Sequence, residues 1–286
     1  WSYCYDNVFR SNTLLDNLDK IAVASNEQAS LENLKGQALA LRARSFLKIA
    51  SVWTLAYEET SADTDLGIPL RLSSDFNIPS ERSTLRETYD QIISDLKEAI
   101  PLLPVAQIHV LRTSRPAAYP LLGRTYLFMG KYSESARYAD SCLQLYDKLI
   151  DYNSLNACAS YPIRQFNEEV IHSTRMFTPS YLANSRAKVD SLVYRSYHPD
   201  DLRKVVFFKS NNNGTYGFKG SYEGSASLFD GIATGEVYLI RAECYARNNR
   251  VKDAMADLNQ LLIHRWDNTK VFVPLRAETQ REALEL

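Results

Sequence analysis

Ala117 to Tyr138 reads AAYPLLGRTYLFMGKYSESARY, and the spacing inside it decides the fold. Tyr119, Leu122, Gly123 and Tyr126 stand at the offsets of the first helix of a tetratricopeptide repeat, W-x2-L-G-x2-Y, with Tyr in place of Trp. The spacing has a packing logic: a small residue in mid-helix admits a second helix closely, and large residues on either side fill the groove between them. Gly130-Lys131-Tyr132 supplies a tight turn, and a return helix is predicted from Ser133 to about Tyr146. The same offsets recur at Tyr238, Ala242 and Tyr245, followed by the turn Asn248-Asn249-Arg250 and by Ala254, Leu258 and Leu261 on one face. They recur again at Leu39, Ala43 and Phe46, inside the proline-free segment Leu34–Trp53, which reads as a buried helix. Three occurrences of one spacing predict a mainly α protein on a tetratricopeptide-like helical-repeat scaffold.

A further helix begins at Thr84, which forms a capping box with Glu87. Leu85, Tyr89, Ile92, Leu96 and Ile100 give it one apolar face, and Pro101 and Pro104 are expected to end it. Pro69 and Pro79 keep the stretch before it extended. Between Tyr152 and Gly235 the character changes to Gly, Asn, Ser and aromatic residues, with a turn predicted at Asn211-Asn212-Asn213-Gly214. Glu169–Ser173 and Val205–Phe208 are predicted as short strands. The reading is a single domain over 1–286, with helical repeats at about 30–150 and 232–268 and a long irregular insertion at about 152–235. Long ordered loops within a compact domain tend to carry function.

The 286 residues hold 33 basic and 34 acidic side chains, so nothing draws nucleic acid or an anionic membrane by bulk charge. Eighteen Tyr and eleven Phe suit both cores and wet stacking surfaces. No metal site is expected: Cys4, Cys142, Cys158 and Cys244 include no C-x-x-C, and His109, His172, His198 and His264 form no H-E-x-x-H. Cys142 and Cys244 fall in amphipathic helices and read as small apolar residues. Asp63-Thr64-Asp65-Leu66-Gly67 has the wrong register for a calcium loop, with Ser74 at the twelfth position. G-x-S-x-G, phosphate-loop and dinucleotide patterns are missing, so no cofactor is expected. Glu58-Glu59 and Glu168-Glu169 are neighbours whose side chains diverge, unlike a glycosidase pair set across a sugar. The pattern favours binding over catalysis, with no catalytic residue. No stretch is long enough to span a bilayer.

Four stretches resemble the SusD/RagB family. Ala38–Phe46 resembles its A-x-x-x-R-A-x-x-Y/F helix. Thr88–Leu96 with Ala99–Pro104 resembles its Y-x-x-I-x-x-D-L-x-x-A-x-x-x-L-P segment. Ala117–Tyr138 resembles A-A-x-x-L-L-A-R-x-Y-L-x-x-G-x-Y, departing at Pro120 and Gly123. Glu236–Glu243, followed by Asp257-Leu258-Asn259, resembles its late E-x-Y-L-x-R-A-E helix. The resemblance implies a SusD-like fold and a non-enzymatic lipoprotein on the outer-membrane surface of a Gram-negative bacterium. It implies a SusC-like TonB-dependent transporter as partner, to which oligosaccharide or, in some members, peptide is handed. The chain is read as incomplete at both ends: Trp1 is an unusual start, and Arg281–Leu286 looks like the opening of a further helix. The lipid-bearing cysteine is expected outside this chain, Cys4 sitting in an aromatic setting unlike it.

Ligand sites of this family draw on the loop after the first helix pair and on the insertion. Exposure and chemistry then single out Tyr57 and Asp65 in the first loop, and Tyr181, Asn212, Tyr216, Phe218 and Tyr222 in the insertion. The rings would stack on sugar C–H faces, while Asp65 and Asn212 would bond hydroxyls. Tyr216 and Phe218 flank Gly217 and project to one side if that stretch is extended. Two rival classes remain, a helical-repeat scaffold that binds polypeptide and a hydrolase with two carboxylates facing across a cleft.

Overall fold

A computed structural model describes residues 2–21, 24–176, 178–183 and 186–286. The chain is mainly α and divides into two compact units, Trp1–Leu145 and Tyr146–Leu286.

The first unit carries α1 (Ser2–Leu15), α2 (Gln28–Trp53), α3 (Leu85–Leu102), α4 (Arg115–Phe128) and α5 (Tyr132–Leu143), with the short strands β1 (Leu66–Pro69) and β2 (Arg82–Thr84) between α2 and α3. Leu39, Ala43, Phe46 and Ile49 of α2 and Leu85, Ile92 and Leu96 of α3 are buried, as their periodicity predicts. Arg42 is buried among them. Its guanidinium donates from Nε to Asp95 Oδ2 at 2.8 Å, from Nη2 to Asp95 Oδ1 at 2.7 Å and from Nη1 to Asn12 Oδ1 at 2.9 Å. A charge is tolerated in this core because its donors are met by a matching fork.

Thr84 Oγ1 accepts from the Glu87 amide while Glu87 accepts from the Thr84 amide, the reciprocal cap read from the sequence. α3 runs one residue past Pro101, to Leu102. A proline in the last turn costs a single ladder bond, so it does not stop the helix where it stands. In α4 and α5 the small slot works as expected: Gly123 is buried, and Ser135 Oγ of α5 donates to its carbonyl at 2.8 Å.

The second unit holds β3 (Val170–His172), β4 (Arg175–Met176), α6 (Ser191–Ser196), α7 (Arg203–Val206), β5 (Phe208–Ser210), β6 (Tyr216–Phe218), β7 (Leu228–Phe229), β8 (Ile232–Ala233), α8 (Thr234–Arg247), α9 (Val251–Ile263) and α10 (Gln280–Glu285). All strand pairs here are antiparallel and two-stranded: β3 with β8, β4 with β7, and β5 with β6. The α4–α5 and α8–α9 turns share one design. Gly130 and Asn249 take φ of +68° and +60°, and the next amide, of Lys131 or Arg250, reaches back to the carbonyl of Tyr126 or Tyr245. This is the left-handed helix terminator in which glycine and asparagine are least strained.

Val205–Phe208 is only partly a strand. Asp201 accepts from the Arg203 amide at 2.9 Å and starts a helical turn through Val206, so strand geometry begins at Phe208. Val206 and Phe208 are buried while Val205 is exposed, and the turn that Asp201 opens overrides the strand expected from the apolar run.

Candidate functional site

The insertion is framed by its own ends. Val170 and His172 pair with Ala233 and Ile232, and Arg175 and Met176 pair with Phe229 and Leu228. Beneath this frame lies a buried polar knot. Arg265 Nη2 donates to Glu169 Oε1 at 2.6 Å, Arg265 Nη1 to the Ile150 carbonyl at 2.6 Å, and the Ile150 amide to Glu169 Oε2 at 3.1 Å. Gly235 has no alternative here, since a Cβ would stand 2.7 Å from Glu169 Oε1. Glu168 is exposed while Glu169 is buried, so this adjacent pair diverges as expected.

Within the insertion, β5 and β6 form a short ribbon with Phe208 opposite Phe218, Lys209 opposite Gly217 and Ser210 opposite Tyr216. Asn212, at φ +59°, makes its turn. Asp190 caps α6 by accepting from the Leu192 amide, and the Val189 amide donates to the Tyr216 carbonyl at 2.8 Å, which ties α6 to the ribbon. The result brings Tyr194 of α6 onto Tyr216, with ring centroids 3.5 Å apart and planes 15° apart. Lys204 Nζ lies over the Tyr194 ring at 4.9 Å and donates to the Tyr197 carbonyl at 3.0 Å. Phe208 supports the stack edge-on at 5.8 Å from Tyr194.

This stack lines a cleft of about 810 Å³ with Tyr161, Phe208, Lys204, Lys209, Lys219 and the loop Ala157–Ser160. Lys219 Nζ anchors that loop by donating to the Ala157 carbonyl at 2.6 Å, and also to Val205 at 2.8 Å. Burial lowers the Lys219 ammonium from its ordinary range, and the neighbouring Lys209 lowers it further. Burial and the Tyr216 hydroxyl raise the Tyr194 phenol, so it stays protonated. The cleft therefore offers an aromatic platform and a set of cationic donors.

The seven candidates separate by environment. Tyr216 lines the cleft, Asn212 lies at the tip of its ribbon, and Phe218 packs against Phe207 and Phe208 at 6.2 and 6.3 Å. Tyr181 is 69% exposed on another part of the insertion. Tyr222 turns its hydroxyl to Glu169 Oε1 at 2.8 Å, and burial holds that phenol well above its usual range. In the first unit, Tyr57 is 6% exposed, packs edge-on against Tyr89 and accepts from Arg86 Nη1 at 2.8 Å. Asp65 accepts from Ser61 Oγ at 2.5 Å. Sequence reasoning passed over Tyr194, Tyr161 and the three lysines. The one local signal was Asp190 as a helix cap, which sets where Tyr194 points.

Among the described residues no helix is long and apolar enough to cross a membrane. Residues 1–127 match the family model for SusD-like proteins described as starch-binding and associating with the outer membrane. No curated protein matches the chain. Its fold is shared with crystal structures of Bacteroides proteins. A SusD superfamily protein from Bacteroides vulgatus superposes with a TM-score of 0.81 at 20% identity, covering 100% of this chain and 69% of that one. A SusD superfamily protein from Bacteroides thetaiotaomicron gives 0.77 at 22% identity, covering 94% and 66%. A SusD-like carbohydrate binding protein from Bacteroides vulgatus gives 0.77 at 21% identity, covering 100% and 64%. The chain thus spans about two thirds of the length of these relatives. Residues 1–127 are thus similar to SusD-like proteins, and the chain along its length shares the fold of the SusD superfamily structures.

Proposed function

We propose that this protein binds carbohydrate without turning it over, and that the cleft lined by Tyr194 and Tyr216 is where it does so. The observation that carries the reading is the stacked ring pair at 3.5 Å. Tyr194 is held by Tyr216 stacked on it and by the Lys204 ammonium 4.9 Å from its ring centre, and the outer face of Tyr216 is the platform for a sugar ring. Sugar C–H faces pack on such a ring, and the surrounding serine and tyrosine hydroxyls can both donate to and accept from sugar hydroxyls. Asn212 extends this surface at the ribbon's tip, Phe218 packs on Phe208 of the same ribbon, and Tyr181 is a separate exposed ring of the insertion. The starch-binding description of the family model and the carbohydrate-binding relative support the ligand class. In the whole protein, lipid-anchored at the outer-membrane surface, the bound oligosaccharide passes to a SusC-like TonB-dependent transporter.

Titration calorimetry against glycans first selected on an array tests this. A positive glycan should lose about three- to tenfold in affinity with Tyr216→Ala, the share of one stacked ring, and overnight incubation should leave it intact. Unchanged affinity in Tyr216→Ala removes the cleft from the reading, and released products replace binding by hydrolysis.

A further inference from the structure

We infer that the saccharide taken by this cleft is anionic, bearing carboxylate or sulfate groups; the inference rests on the carbohydrate reading above. Three of the lining side chains are lysines, Lys204, Lys209 and Lys219, and none is Asp or Glu. The imbalance is local. The whole chain has a net charge of −1, yet residues 186–219 hold seven Lys and Arg against three Asp. One of those three, Asp201, is already bound to Arg203 at 2.5 Å.

Donor chemistry makes the choice. A neutral sugar presents hydroxyls that donate as well as accept, and a site for it gains from carboxylates and amides that take the donated protons. Lysine has three donors and no acceptor. A lining whose charged groups only donate matches a group that only accepts, as carboxylate and sulfate do. The lysines are also placed for a partner that stacks. Lys204 is fixed over Tyr194 by its bond to the Tyr197 carbonyl, and Lys209 stands opposite Gly217, where no cross-strand side chain screens it. Like charges gathered in one cleft raise each other's cost, which an arriving anion relieves.

The test uses the protein as it is, titrated with two matched pairs of probes. One pair is hexameric oligogalacturonate and its methyl ester. The other is κ-carrageenan oligosaccharide and its desulfated form. At least one charged probe should bind tenfold or more tighter than its neutral counterpart, and should weaken as salt is raised. Lys204→Gln and Lys209→Gln should each weaken that probe about threefold, while Lys252→Gln, at an exposed position of α9 outside the cleft, should not. If neutral glycans bind in a Tyr216-dependent way and charged and neutral forms differ by less than twofold, the anionic inference falls and the carbohydrate reading stands. If no glycan of either kind binds, both fall. Binding of a single-stranded DNA oligomer as tight as the best glycan also overturns the inference, since it would mark a general polyanion groove.

Discussion

Arg42 is to Asp95 what Arg241 is to Asp257. In each pair Nε meets Oδ2 at 2.8 Å and Nη2 meets Oδ1 at 2.7 Å, so two helix pairs far apart in sequence are clamped by one bidentate fork. Each arginine precedes the small residue of its helix, Ala43 or Ala242, and each aspartate precedes a leucine, Leu96 or Leu258. The R-A and D-L elements of the family-like motifs are therefore two halves of one contact.

Removing one partner should strand a buried charge. Arg42→Met is expected to cost about 3–5 kcal/mol in urea denaturation. The side chains of Arg241 and Asp257 are 17% and 8% exposed against 9% and 2% for Arg42 and Asp95, so Arg241→Met should cost less. The double variant Arg42→Met/Asp95→Leu should recover much of the loss. A double variant as unstable as Arg42→Met alone would mean that packing, not the orphaned carboxylate, sets the cost.

Gly67 in β1 should tolerate no side chain. A Cβ there would lie 2.1 Å from Thr88 Oγ1 and 2.3 Å from the Thr84 carbonyl. Gly67→Ala is expected to destabilise by about 1–3 kcal/mol through overpacking. Gly214→Ala, in open space but at φ +78°, should cost about 1–2 kcal/mol from backbone strain alone. Thermal or urea melts of both variants check the ordering, and a neutral Gly67→Ala would refute the clash.

The scaffold was legible because its rules are local. Thr84 and Glu87 meet across three residues, and Gly123 or Ala242 sits one helical turn from its large neighbours. The cleft was legible only in part. Tyr216 could be singled out as a ring beside glycine in a turn-rich stretch, but its stack depends on Tyr194, 22 positions earlier, carried there by the Val189 bond to the ribbon. Tyr222 looks like Tyr216 in sequence; only the fold places Glu169 and Arg265 next to its hydroxyl. Lysines give no local pattern at all, and their grouping is a product of tertiary structure.

Tyr222→Phe separates structural from ligand-facing rings. It deletes the 2.8 Å bond to buried Glu169, which keeps Arg265 and the Ile150 amide as partners. A loss of about 1–3 kcal/mol in stability is expected, with glycan affinity unchanged in calorimetry. A fall in affinity as large as that of Tyr216→Ala would place Tyr222 on the ligand surface.

Stability should rise and then fall with alkaline pH. Burial, with Arg44 and Arg124 nearby, lowers the Lys48 ammonium to about 8. Between that value and the unfolded value of 10.5 the unfolded chain binds more protons, so stability grows as pH rises. Burial raises the Tyr5 and Tyr89 phenols to about 12, which reverses the slope above pH 10, where unfolded tyrosines ionise first. The urea midpoint should therefore climb from about pH 8 to about pH 10, and Lys48→Met should flatten that climb. A midpoint that falls steadily over the same range would contradict the assignment of Lys48.

The pairing of Met176 with Leu228 makes the stretch between them a cassette. Its two ends leave the protein side by side, so the closure is already made by the ribbon, and lengthening the loop adds only a logarithmic entropy term. Foreign sequence spliced between these strands would inherit a fixed mouth whatever its length. The exchange has one condition, because Val206 and Tyr222 of this stretch pack with Ile150, Tyr152 and Ile163, and any replacement must bring an apolar plug of the same size.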